Sequence, residues 1–507
     1  MIAAVRAIRE LARLRNVQGP GCWRKTLWAV LLATGCIDPT QSRLAAQHAQ
    51  SGAGGRKAAP GSGSTLEELQ RDFVDARFGM FIHFGILTFT GKWAQPHLDL
   101  DQFNPTKLNP GQWADAALSA KMTFGVLTTK HHDGFALWDS KESSFDVAST
   151  PWKNGKGDVV REYVDAFRAR GLKPGLYYSV WDTTQGIGNR PISRSDIDHI
   201  KAQLTALLTQ YGPIPLLVFD GWSWKMGHKS MPYAEIRDHV KSLQPACLVV
   251  DHTHLQNLWD NDLVMFEEPK GVFAPNGNTL PAGQDNKIVS GNDWFWDPSS
   301  ATQDPLSLDS IVRGHLQPLE SRYTTFILNC PPNRQGLLDD NIVRRLAEVG
   351  RNWTPNHSRP PLPAGHLQND YPIVPLRATA SSGVASLAID GINDAGHYTT
   401  WQSSSNLPQS ITLDLGDTIP DVGILYYVPK YQPSATPTSD GAITSYAIGV
   451  SADGSQFSPV ASGQWPADSA MKVVTFAPVR ARYLRIQALA ANGGYAAATE
   501  ISVGARP

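Results

Sequence analysis

The sequence predicts an α/β fold, a (β/α)8 barrel, followed by an all-β sandwich of the jelly-roll kind. Three observations carry that expectation. Between residues 65 and 353, short apolar runs alternate with amphipathic stretches. From Leu376 onward, strand-like runs follow one another across Asp-Gly, Pro and Asn-Gly turns, with no helical period between them. The two textures are separated at 354–375 by six prolines (Pro355, Pro360, Pro361, Pro363, Pro372 and Pro375), the composition of a linker.

The apolar runs of the first region are 80–84, 125–129, 176–179, 214–219, 247–250, 263–266, 287–290 and 325–328. Between them, 110–120, 159–170, 193–211, 233–243 and 306–319 place apolar residues three and four apart, as a helix packed on one face requires. Continuous apolar runs suit parallel strands buried on both faces, and the helices supply the crossovers. Eight such runs in one region favour a closed barrel over an open sheet, and in such barrels the chemistry sits at the C-terminal ends of the strands. A last helix at 341–353 ends at Trp353. Beyond the linker, 410–415, 422–428, 443–450, 473–476 and 482–486 are the expected strands of the sandwich, which spans 376–507.

The chain of 507 residues is several times the ~150-residue prior for one domain. Its 45 basic and 46 acidic residues give a net charge of −1, which argues against a nucleic-acid partner, since phosphate binding needs a basic face. Residues 1–64 are expected to be an export segment and flexible linker. The run 24–36 has a basic start, a short apolar stretch and small residues at its end, which is signal-peptide grammar and too short to span a membrane. The protein is therefore expected to be exported, periplasmic or extracellular, with Cys36 as a candidate lipid attachment point. The four cysteines show no zinc spacing and no disulfide framework.

Chemistry-bearing residues gather at the expected strand ends. The first run ends Ile82-His83-Phe84-Gly85, the second Thr129-Lys130-His131-His132-Asp133-Gly134, and the third Tyr177-Tyr178-Ser179-Val180-Trp181-Asp182. The fourth ends Phe219-Asp220-Gly221-Trp222 and the sixth Phe266-Glu267-Glu268-Pro269. Asp220 alone reads equally as a loop cap or a catalytic group. With Glu267 or Glu268 two strands on, it makes the pair of carboxylates that glycoside hydrolysis needs: one to attack, one to shuttle the proton. Adjacent histidines point to opposite sides of an extended segment, so His131 and His132 make a poor metal chelate and fit sugar hydroxyls better. Fifteen tryptophans, eleven of them between residues 93 and 353, offer flat apolar faces for a sugar ring as well as core mass.

The residues 77–85 (Arg-Phe-Gly-Met-Phe-Ile-His-Phe-Gly), 130–135 (Lys-His-His-Asp-Gly-Phe) and 219–221 (Phe-Asp-Gly), in this order, resemble the glycoside hydrolase family 29 α-L-fucosidases over roughly 65–353. The resemblance implies an exo-acting retaining α-L-fucosidase that needs no cofactor for catalysis. Asp220 would be the nucleophile, and His83, Trp93, His131, His132, Tyr177, Trp222 and Trp296 would bind substrate. The acid/base falls on Glu267 or Glu268, with Glu267 favoured because Pro269 turns the chain after Glu268. The stretches 175–182, 291–296 and 328–338 resemble the branch that prefers α-1,3/1,4-linked fucose, so the expected partner is a fucosylated oligosaccharide or glycoconjugate. Two alternatives stay open: a non-catalytic glycan-binding protein on a degenerate barrel, and a retaining glycosidase for a related sugar.

The tail is similar to coagulation-factor-5/8-type C domains, through residues 389–391, 400–403, 408–416, 451–454 and 481–486. Such domains often hold a structural calcium. Asp390, Asp394, Thr399 and Glu500 are the candidate ligands, being the oxygen donors that calcium takes. A plain turn cap at Asp390 is the equal alternative.

Overall fold

Eight parallel strands form the central sheet of a computed structural model that describes residues 63–226, 231–252, 261–270, 273–364, 373, 375–390, 399–430, 439–468 and 471–505. In chain order they are β1 (Phe78–Ile82), β2 (Phe124–Lys130), β3 (Lys173–Ser179), β4 (Leu216–Asp220), β5 (Leu248–Asp251), β6 (Val264–Glu267), β7 (Ala282–Lys287) and β8 (Thr324–Asn329). The hydrogen-bonded order β5-β4-β3-β2-β1-β8-β7-β6 brings the first strand against the last, leaving β5 and β6 as the facing edges of a nearly closed barrel.

Asp262 joins those edges. Its N–H donates to Val249 O (2.8 Å) and its Oδ2 accepts Val249 N–H (2.7 Å), standing in for ladder bonds between β5 and β6. The carboxylate is fully buried and paired with Arg237 and with Lys241 (2.6 Å), so the substitution of side chain for ladder leaves no uncompensated charge.

Helices cover the sheet where the apolar spacing predicts them, at Pro110–Ser119, Val159–Arg168, Arg194–Gln210, Tyr233–Leu243 and Asp340–Asn352. Local chemistry fixes their starts. Asp158 accepts Arg161 N–H, and Ser193 and Asp196 form a capping box, each filling donors that the first helical turn leaves open. A further helix, Leu66–Ala76, starts at the Thr65–Glu68 capping box. Its Phe73 and Val74 share a buried cluster with Phe81, Val126, Val218, Val250, Met265 and Ile327 of the barrel interior. Each such side chain, fully buried, contributes about 1.5–3 kcal/mol. The strand residues between them face the helices in a second, larger cluster. One side of the sheet is thus the barrel interior, with an apolar stack at its lower level.

Three expected elements differ. The seventh strand is the polar stretch Ala282–Lys287, not 287–290. It is legible only in three dimensions. Gly283 leaves room for Met265 and Ile327, since a Cβ there would sit 2.9 Å from Met265 Sδ, and the next inward position is Asp285. The stretch 306–319 is helical from Ser310, first as a π-helix to Leu316 and then to Glu320. In the tail, the expected runs 410–415 and 422–428 are one long strand, as are 473–476 and 482–486.

The tail is an antiparallel all-β region. It comprises β9 (Arg377–Ala380), β10 (Trp401–Gln402), β11 (Gln409–Val428), β12 (Ile443–Ser451), β13 (Ser458–Gln464), β14 (Lys472–Ala491), β15 (Ala497–Ala498) and β16 (Glu500–Ala505). β11 and β14 pair along 20 residues each, with register shifts between Asp414 and Ile424 that let the ribbon bend. Trp401, Leu413, Leu425, Tyr427, Ile448 and Ile486 are buried in its own core.

Among the described residues, no helix is long and apolar enough to cross a membrane. The expected export segment and Cys36 lie outside the described residues.

Candidate active site

Side chains alternate across each strand, so the last inward position of every barrel strand reaches the mouth above the apolar stack. On β4 the inward residues are Leu216, Val218 and then Asp220. On β6 they are Met265 and then Glu267. The registers Glu267–Asp285 and Asp285–Ile327 carry the inward row onto β7 and β8. The mouth therefore collects His83, Tyr177, Asp220, His252, Glu267, Asp285 and Asn329 from seven strand ends, with His131 and His132 in the loop after β2.

Asp220 is the hub. Its Oδ2 accepts a hydrogen bond from Tyr177 OH (2.7 Å) and lies 3.7 Å from His132 Nε2 and 3.8 Å from His252 Nδ1. Its Oδ1 accepts the Gly221 N–H at 2.5 Å. Burial first, and then the Asp220 charge, push the Tyr177 hydroxyl well above the usual tyrosine range, so it stays a donor.

The histidines divide into two electrostatic kinds. Burial and the neighbouring His131 hold His83 well below the ordinary imidazole value; burial and His132 do the same to His131. Both are neutral. Asn329 Nδ2 donates to Trp294 O (2.7 Å), so its Oδ1 accepts from His83 Nδ1–H (2.8 Å), and the lone pair of His83 is on Nε2. Ser179 Oγ likewise donates to Trp181 O (2.7 Å) and accepts from His132 Nδ1–H (2.7 Å), which turns His132 Nε2 toward Asp220. His131 Nδ1 is buried without a partner among the described residues. His252 is the opposite case. Burial disfavours its charge, yet Asp285, with Nε2 3.0 Å from Oδ2, and then Asp220 and Glu267 overcome that and push it up to about 9.

Aromatic rings surround this cluster. Trp294 stacks on His83 (centroids 5.1 Å, 23°), His131 stacks on Tyr177 (5.7 Å, 14°), and the Phe81 ring lies 4.5 Å below His83. Trp93, 37 % exposed, meets His132 and Trp181 edge-on at 5.5 and 5.6 Å. An exposed indole beside buried polar groups suits one face of a sugar ring.

A second network braces the loop that carries the paired histidines. Lys130, fully buried, lies 2.9 Å from Asp182 Oδ2 and 4.4 Å from the Tyr178 ring centroid. Thr183 N–H donates to His132 O (2.9 Å). Gly134, at φ +91°, lets Asp182 approach to where any Cβ would collide, 2.3 Å from Oδ1. Asp133 beside it is pushed up to about 7, by burial before all else.

Of the expected site residues, the fold brings together His83, Trp93, His131, His132, Tyr177, Asp220 and Glu267. Two stand elsewhere, Glu268 and Trp222. Glu268 faces the outer side of β6, where its Oε2 lies 2.7 Å from His315 Nε2 and accepts from Gln284 Nε2 (2.9 Å). Trp222 is buried against Tyr233, ring on ring at 4.0 Å, because Gly221 at φ +76° turns the chain outward after Asp220. Trp296 is engaged by Asp339, to which its Nε1 donates (2.7 Å), and by the Arg334 guanidinium 5.8 Å from its centroid. His252, Asp285, Asn329 and Trp294 are additions. His252 follows the fifth apolar run and was open to the strand-end rule; Asp285 lies in the strand with no apolar signal.

In the tail, the Thr399 hydroxyl donates to Asp390 (2.8 Å to each carboxylate oxygen), and Glu500 is buried at the start of β16. Asp394 lies outside the described residues. Among the described residues, no group of three or more His, Cys, Asp or Glu side chains converges as a metal site.

Comparison with known proteins matches the Alpha-L-fucosidase family model over residues 93–358 and the F5/8 type C domain model over residues 376–501. The chain is 31% identical over 293 residues to Alpha-L-fucosidase 1 of Arabidopsis thaliana, covering 53% of this chain and 56% of that one. It is 30% identical over 295 residues to Putative alpha-L-fucosidase 1 of Oryza sativa subsp. japonica, with 54% and 56% covered. The chain thus spans a little over half the length of these curated relatives. The solved structure of Alpha-L-fucosidase isoenzyme 1 from Paenibacillus thiaminolyticus superposes with a TM-score of 0.50 at 24% identity, over 82% of this chain and 100% of that chain, a likeness of fold.

Proposed function

The chain belongs to the alpha-L-fucosidase family, and on that premise we propose that it is an exo-acting, retaining α-L-fucosidase that removes terminal α-L-fucose, α-1,3/1,4-linked, from glycans. The observation that carries the reading is the convergence on one barrel mouth of Asp220, held by Tyr177 and Gly221, with Glu267 two strands away and neutral imidazoles around them.

Asp220 attacks the anomeric carbon while the glycosidic bond breaks. Glu267 gives its proton to the departing oxygen, and an aspartyl fucoside forms. Water then attacks the same carbon. Glu267 takes the water's proton, the Asp220 carboxylate departs, and net retention follows from two inversions. The two carboxyl groups are expected ~5–5.5 Å apart in the closed site. His83 Nε2 accepts a hydrogen bond from a fucose hydroxyl, the neutral imidazole of His131 offers a second polar contact, and Trp93 and Trp294 cover the ring. The proposal includes export, with or without lipid attachment at Cys36, and a structural calcium in the tail. The near-neutral charge of the chain suits a neutral glycan.

The test is incubation with 4-nitrophenyl α-L-fucoside and with α-1,3/1,4-fucosylated trisaccharides, measuring free fucose. Release from both supports the reading. Release from the aryl fucoside alone overturns the linkage, and binding without release points to a glycan-binding barrel.

A further inference from the structure

His252 has no counterpart in the two-carboxylate mechanism, yet it occupies the centre of the charge at the barrel mouth. Its Nδ1 lies 3.8 Å from Asp220 Oδ2 and its Nε2 3.0 Å from Asp285 Oδ2. The ring is buried, edge-on to Phe81 at 6.1 Å and to Tyr177 at 6.4 Å. The groups facing it are Asp220 from β4, Asp285 from β7, Glu267 from β6, Tyr177 from β3 and His83 from the end of β1, with Asp251 preceding it on its own strand. Carboxylates on both sides of one buried imidazole make an arrangement whose balance requires a cation there.

We propose that His252, kept charged by Asp285, is a positioning residue that acts through Asp220 to divide the two half-reactions, assisting breakdown of the fucosyl-enzyme rather than its formation. The inference rests on Asp220 being the nucleophile. In the first half-reaction the C1–O bond to Asp220 forms, the glycosidic bond breaks, and negative charge leaves Asp220. A cation beside the free carboxylate stabilises the starting state more than the transition state. In the second half-reaction that C1–O bond breaks with its electron pair returning to Asp220, water supplies the new C1–O bond, and its proton goes to Glu267. Negative charge now grows next to the imidazolium, which stabilises the transition state over the ester. Removing the cation therefore moves the two steps in opposite directions. Loss of a merely structural residue would slow both.

The experiment measures, for the full chain with 4-nitrophenyl α-L-fucoside, the rate constant of fucosyl-enzyme formation by rapid mixing and that of its breakdown from steady-state turnover. His252→Gln is expected to lower the ratio of breakdown to formation by about 10-fold or more, the scale of an opposite charge at this range, with kcat and KM falling together. His252→Lys, which keeps a cation, restores the ratio. Asp285→Asn keeps the imidazole but removes its counter-charge. It is expected to show the low ratio increasingly as pH rises from 6 to 8, where the parent ratio is flat. A ratio unchanged in His252→Gln, or equal losses in both steps, overturns the inference. Labelling with a 2-deoxy-2-fluoro-fucosyl fluoride separates that failure from failure of the underlying reading. A label on Asp220 with an unchanged ratio sinks only the role of His252, whereas a label elsewhere sinks the nucleophile assignment.

Discussion

The two faces of the barrel sheet both bury ionised groups, and they treat them differently. On the outer face three anions each face a cation. Lys130 holds Asp182, His315 holds Glu268, and Arg237 with Lys241 holds Asp262. On the inner face, the Asp220 and Asp285 carboxylates share the charged imidazole of His252, while His83 and His131 are kept neutral by burial. Matched pairs hold loops and edges in place. A surplus of carboxylate beside neutral imidazoles costs stability and is worth that cost only where a substrate completes it.

The comparison makes predictions of graded size. The largest belongs to the inner face: Asp220→Ala should lower kcat by at least about 10³-fold and move the melting temperature by only a few degrees. Calorimetry alongside turnover checks both halves; a collapse of stability without a specific loss of rate would erase the distinction between the faces.

Next comes the sharpest contrast, between neighbours on one strand. Glu267→Gln should cost about 10²–10⁴-fold in kcat with substrates whose leaving groups need a proton, the usual contribution of general acid catalysis. Glu268→Gln should leave kcat within about 3-fold and instead lower stability by about 1–3 kcal/mol, through the weakened bond to buried His315. The reverse outcome would put the acid on the outer face.

A third prediction concerns the outer face alone. Lys130→Met leaves the Asp182 carboxylate buried and uncompensated, which should cost about 3–5 kcal/mol in denaturant unfolding. Its effect on rate should come with the loss of order in the loop carrying His131 and His132, as a rise in KM.

The smallest effect is a pH dependence of stability. His252 is pushed up to about 9 in the fold, above its ordinary value near 6.5. A histidine with a raised folded value stabilises fully below about pH 6.5, and that contribution is lost as pH rises through about 9. The melting temperature should therefore decline from pH 6.5 to 9, and His252→Gln should flatten part of that decline. An equal slope in parent and variant would contradict the charge assignment at the mouth.

Much of this was legible along the chain because each signal was local. The apolar runs of β1 to β6 and β8, the helices at 110, 159, 194 and 233, and the polar residues closing strands all follow from periodicity and strand-end position. The failures share a cause: they turn on which way a side chain points at or near the end of a strand. Trp222 follows Gly221, whose positive φ sends the indole into the core against Tyr233. Asp285 hides in a strand made of Gly, Gln, Asp and Asn, because its inward side is the site itself and its partner Gly283 yields space to Met265. Glu267 and Glu268 were inseparable from composition; the register with Asp285 separates them.

The central claim, that Asp220 and Glu267 on the inner face perform double displacement on an α-L-fucoside, is tested most directly by following the released sugar with proton NMR in the first minutes of hydrolysis of 4-nitrophenyl α-L-fucoside. The account predicts that α-L-fucose appears first and mutarotates afterwards to the β-anomer. First appearance of β-L-fucose, or no fucose at all, would contradict it.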